Sequence, residues 1–185
     1  SRCFTSARPA LAAVRSAETA TDPNVQRAAL RQAAELARER GALAMKNDVG
    51  AALEAFRVAT DSDPADVWNW FFLGDMFVAT GDLGSALSAF ESARQRVEQR
   101  RSETSNADCT ARELSVSHDK IGNVRVAQGD LSAALQAFEA GLAIRELLAA
   151  HDPANNQWQR DLSVSHSKIG NVRVAQGDLP AASQA

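Results

Sequence analysis

The chain has 185 residues, 45% of them apolar and only 5% aromatic, with no tyrosine and a formal net charge of −3. That balance gives no broad positive field, so attraction to a phosphate backbone is not the expected function and nucleic acid is excluded as a partner. No run approaches the roughly 18–20 apolar residues that span a bilayer, so no direct membrane contact is expected of this segment either.

Abundant Ala, Leu, Gln, Glu and Arg, with few β-branched residues, favours helix throughout and no sheet. Cys3 and Cys109 lie in unrelated contexts with no ligand-spaced cluster, so neither a disulfide nor a metal site is implied. In chain order the pattern predicts helices near 9–19, 23–46, 49–61, 65–80, 83–103, 108–128, 131–151, 156–176 and 179–185. Residues 1–22 read as a linker or as the end of a preceding helix pair. Asp22-Pro23 then opens a helix, with Asp as N-cap and Pro at the first helical position.

The chain repeats itself. Residues 114–137 and 162–185 differ only at Asp119/Ser167, Ser132/Pro180 and Leu135/Ser183, an offset of 48. A further step of 48 from Gly122, Gly129, Asp130, Ala134 and Phe138 lands on Gly74, Gly81, Asp82, Ala86 and Phe90. A fixed period of this size marks a supersecondary unit that buries its apolar face only by stacking on its neighbours. Gly74, Gly122 and Gly170 fall inside predicted helices, where a close approach of a partner helix is the expected compensation. Gly81, Gly129 and Gly177 end the first helix of each pair, and Asp82, Asp130 and Asp178 are set to cap the second.

The spacing Trp70, Leu73-Gly74, Phe77, Gly81, Ala86, Phe90, Ala93 resembles the tetratricopeptide repeat, over roughly residues 24–185. The resemblance implies an all-α fold, a right-handed α-solenoid of antiparallel helix pairs. Its units are an atypical repeat 23–64, then 65–107, 108–155, and 156–185 cut within its second helix. The first unit keeps a 34-residue offset through Asp48, Ala52 and Phe56, but Glu39 and Arg40 replace its Leu-Gly pair. The longer 48-residue period adds about two helical turns to each helix without rotating its apolar face. Ser1 and the cut at Ala185 are read as marks of a fragment of a longer, bacterial, cytoplasmic protein.

The resemblance also implies a concave groove lined by the first helices. Carried over position by position, its wall would be Trp68, Phe71, Phe72, Asp75 and Val78 in one copy. In the next it would be Asp119, Lys120, Asn123 and Val126, and then Ser167, Lys168, Asn171 and Val174. Asn123 and Asn171 suit an extended peptide backbone, since an amide both donates and accepts, or they simply solvate the groove. Trp68, Phe71 and Phe72 read as exposed interface anchors or as packing on the irregular first repeat. Asp119 stands where a carboxylate-gripping clamp needs Lys, so recognition of chaperone tails is not implied.

His118 and His166 share the repeat position of Trp70 and read as packing residues rather than as metal ligands. No nucleophile elbow or phosphate loop is present, so no enzyme, catalytic residue or cofactor is expected. Arg94, Arg96, Arg100 and Arg101 are interspersed with Glu91, Glu98 and Glu103 and read as a solvated, salt-bridged face. The expected function is a protein-interaction scaffold binding a peptide or partner helix in the groove. A regulatory arm acting in cis on a larger effector, or homo-oligomerisation through the exposed terminal repeat, are the alternatives.

Overall fold

A computed structural model describes residues 8–101 and 107–177. Eight helices follow in order: α1 (Arg8–Thr19), α2 (Pro23–Ala44), α3 (Val49–Ser62), α4 (Val67–Ala79), α5 (Leu83–Arg101), α6 (Ala107–Ala127), α7 (Leu131–His151) and α8 (Asn156–Ala175). No strand occurs among the described residues. The expected helix at 179–185, with Asp178 and Ala182, lies outside them, as does Cys3. The chain divides into two compact units, Ser1–Ala89 and Phe90–Ala185, and the division passes through α5 rather than between repeats.

The helix ends are set locally. Asp22, Asp48, Asp66 and Asp130 each accept a backbone N–H of the first turn, and Asn155 does so for α8. Gly81 and Gly129 both adopt φ of +79°, with Asp82 N–H donating to Phe77 O and Asp130 N–H to Arg125 O at 2.9 Å. This six-to-one closure needs a left-handed residue, which glycine adopts without steric cost.

In the first unit, α1 packs on α2, α2 pairs with α3, and α3 meets α4. Ala10, Ala37 and Ala59 join α1 to the pair with Leu36 and Val58 beside them, so α1 is packed against it rather than extended. Phe56 is fully buried among Ala52, Leu73 and Met76, and its ring stacks on Phe72 at 5.2 Å. Asn69, also fully buried, donates from Nδ2 to Ala59 O at 3.2 Å and Asp63 O at 3.0 Å. That ties the end of α3 to the start of α4, adding a side-chain donor to two carbonyls that Asp63 N–H and Asp66 N–H also reach.

The first repeat is where the sequence register needs correcting. A Cβ at Gly41 would lie 2.7–2.9 Å from the Phe56 ring, so Gly41, not Arg40, fills the place of the repeat glycine. The turn that follows is one residue shorter, and no positive-φ glycine occurs in it.

In the second unit, α6 pairs with α7 and α7 with α8. A Cβ at Gly122 would stand 2.7 Å from Cδ1 and 2.9 Å from Cζ of Phe138. Phe138 and Ala134 are buried with Ile169 and Val172 of α8. Gly141 faces the opposite way, where a Cβ would meet the Ser115 carbonyl at 3.4 Å. The helices here are long, with α6 and α7 of 21 residues each against 14 for α3 and 13 for α4.

Gly122→Ala is expected to destabilise the protein by about 1–3 kcal/mol, because the Phe138 ring must leave its well. Gly84→Ala, at a site with no near neighbour but Asp82 Oδ1 at 3.7 Å, is expected to be neutral or to stabilise by up to about 1 kcal/mol. Urea unfolding midpoints of the two variants check the contrast.

Candidate functional site

Each unit carries an opening on the surface formed by the first helices of its pairs. In the second unit a pocket of about 220 Å³ is bounded by Asn123 and Val126 of α6 and by Lys168 and Asn171 of α8. Leu131 and Phe138 of α7 and Val172 of α8 complete its apolar floor. Four sequence-derived groove residues therefore converge here. Val126 remains 41% exposed and Val174 52%, while Ser167 is exposed and its hydroxyl turns back to Ser163 O.

Lys168 is not free to swing. Its Nζ lies 2.8 Å from Asp119 Oδ2 and 5.4 Å from the Phe138 ring centroid. Lys120, one repeat earlier, stands over Phe90 in the same way at 5.3 Å. A 48-residue translation thus reproduces a side-chain contact as well as a residue type.

Asp119 departs from the expected groove wall, for it is 8% exposed. Residues three apart share a helix face, so Asp119 follows Gly122 towards α7. There Arg145 takes it bidentately, Nη1 to Oδ1 at 3.0 Å and Nη2 to Oδ2 at 2.8 Å. Arg145 Nη1 also donates to Ser165 Oγ, whose hydroxyl reaches Asp161 O at 3.2 Å. One carboxylate thus joins α6, α7 and α8, and because it faces two cations the cluster keeps a positive charge beside the pocket. Phe71, at the corresponding place in α4, is likewise buried at 1% exposure and is not an exposed anchor.

In the first unit an opening of about 520 Å³ is lined by Glu35, Arg38, Glu39 and Ala42 of α2 and by Trp68 and Phe72 of α4. Trp68 is 41% exposed and Phe72 half-buried, so these two aromatics do face the opening. Asp75 is half-buried and Val78 exposed, and neither lines it. The four α2 residues were missed because the repeat glycine was set at position 40. Counted from Gly41, the offsets that Val116, Asp119, Lys120 and Asn123 have from Gly122 give Glu35, Arg38, Glu39 and Ala42.

His118 and His166 are half-buried, and among the described residues no group of three His, Cys, Asp or Glu could hold a metal ion. Burial, with Arg94 nearby, holds the His118 imidazole below its ordinary value, against the opposing pull of Glu98 and Asp119. Arg94 pairs with Glu98 at 2.8 Å and Arg100 with Glu113. No described helix is long and apolar enough to cross a membrane.

No family model matches the chain, and no curated protein matches it. Among solved structures it is similar to MamA, with TM-score 0.58 and 15% identity over 87% of this chain and 82% of that one. It is also similar to BtubC (BKLC) from P. vanneervenii, with TM-score 0.66 and 20% identity over 94% of this chain and 66% of that one. Both are tetratricopeptide-like helical-repeat structures, so the fold is an all-α solenoid of antiparallel helix pairs.

Removing one partner of the buried pair strands the other. Asp119→Ala is expected to cost about 3–5 kcal/mol, whereas Asp119→Leu/Arg145→Leu costs less than that single change, as double-variant unfolding would show. The folded His118 binds its proton more weakly than the unfolded residue, which titrates near about 6.5. The unfolded chain therefore gains protons first, and stability falls as pH drops from above that value towards the folded one. Melting temperatures between pH 7.5 and 5.5 are expected to fall by a smaller amount in His118→Gln.

Proposed function

We propose that this chain is a non-catalytic protein-interaction scaffold, built of long, bacterial-type repeats of the tetratricopeptide kind and working in the cytoplasm. Its second-unit pocket holds an extended peptide of a protein partner. The observation that carries this reading is the convergence of Asn123, Asn171, Lys168 and Val126 on one opening with an apolar floor. Each amide can donate to a peptide carbonyl and accept from a peptide N–H, so two of them on neighbouring helices suit a main chain running across α6 and α8. Leu131 and Phe138 supply the contact for one apolar side chain of that peptide. An extended occupant is preferred to a helical one, whose backbone groups are already paired internally.

A second reading, self-association through α8, is favoured by the exposure of Val164 and Val174, 45% and 52%. Light scattering across a concentration series separates it from the first.

The groove reading is tested with Asn123→Ala/Asn171→Ala against the unaltered protein in quantitative affinity capture, both checked for equal melting temperature. Two lost hydrogen bonds at about 0.5–1.5 kcal/mol each predict roughly a tenfold or greater loss of bound partner. Equal recovery from both proteins would remove the pocket from the interface.

A further inference from the structure

The opening between α2 and α4 has chemistry of the opposite sign. Glu35 and Glu39 stand one turn apart on α2, both exposed. Among the described residues neither has an ion-pair or hydrogen-bond partner. The one cation in the lining, Arg38, is committed, with Nη1 2.5 Å from Asp66 Oδ2, the carboxylate group that also caps α4. The opening therefore presents two uncompensated negative charges.

Facing them is a held aromatic wall. Phe72 stacks on buried Phe56 at 5.2 Å, and Trp68 stands edge-on to buried Phe71 at 5.5 Å. Such support leaves the indole exposed without leaving it loose. The repeat frame sharpens the contrast, since Glu39 occupies the offset from the repeat glycine that holds Lys120 and Lys168 in later copies. Glu35 likewise replaces Val116 and Val164.

We propose that the α2–α4 pocket receives a cationic side chain, arginine or lysine, of a partner protein. Glu35 and Glu39 take its charge while its plane or stem lies on Trp68. A guanidinium meets carboxylates through charge-assisted, often bidentate hydrogen bonds, and an indole face attracts a cation by a further ~0.5–2 kcal/mol. An acidic segment is repelled by the same pair, which gives selectivity as well as affinity. The inference borrows from the scaffold reading only that the ligand is a polypeptide. It uses no residue of the second unit.

The test is the ¹H–¹⁵N signal of the Trp68 indole, assigned with Trp68→Phe, during titration with the peptide Ac-Gly-Leu-Arg-Leu-Gly-NH₂ and its Arg→Gln and Arg→Glu counterparts. The arginine peptide is expected to shift the signal saturably, with affinity falling as salt rises and falling about tenfold in Glu35→Gln/Glu39→Gln. The glutamate peptide is expected to give no shift. Equal affinity for all three peptides, an unchanged affinity in the Gln variant, or no saturable shift by about 10 mM arginine peptide would each overturn the proposal. Asn123→Ala/Asn171→Ala is expected to leave the titration unchanged. Loss of the shift in that variant would place the site elsewhere, so failure here and failure of the second-unit reading are read separately.

Discussion

A missing side chain sets the geometry of this protein. At Gly41 and at Gly122 a phenylalanine ring from the paired helix occupies the space a Cβ would need. A flat ring against bare backbone lets two helices approach more closely than side chains on both would allow, and close-packed interiors leave little room to compensate. The contact also orients each first helix about its axis. Once Gly122 faces Phe138, residues one and four further on are turned towards the opening and Asp119, three before, is turned in. Asn123 and Val126 in the pocket, and Asp119 against Arg145, are consequences of that single rotation.

The second unit adds a polar fastening to this apolar contact. Burying one carboxylate between Arg145 and Lys168 is costly unless its oxygens are satisfied, and here both are. The arrangement contributes specificity more plainly than stability. Copy three has Asp119 and copy four has Ser167 in otherwise almost identical helices, so only one of them can engage Arg145 in this way. The same carboxylate holds Lys168 at the pocket edge, which links the packing of the unit to the electrostatics of its opening.

Both openings lie between successive first helices and share two offsets from the repeat glycine, one after it on the earlier helix (Asn123, Ala42) and two before it on the later (Lys168, Phe72), while their other lining residues differ in place and kind. In the second unit the lining includes amides, valine and a tethered lysine; in the first it includes two glutamates and two aromatics. A repeated scaffold keeps glycine, alanine and phenylalanine where helices meet and varies what faces outward, so one architecture can present unlike surfaces.

What the sequence by itself determined was everything with a local or periodic cause. Helix class, the capping aspartates, the Gly81 and Gly129 turns and the 48-residue repeat are written in residues near one another along the chain. That Asn123, Val126, Lys168 and Asn171 share one wall followed from the family resemblance, and the four line one opening. Tertiary structure alone decided what depends on rotation about a helix axis and on partners far apart in sequence. Phe71 and Asp119 turned inward, Arg145 was drawn to a residue 26 positions away, and Gly41 displaced Arg40 as the contact glycine, opening the Glu35–Trp68 pocket. One residue of register is a 100° rotation on a helix, and only the seated phenylalanine ring reveals it.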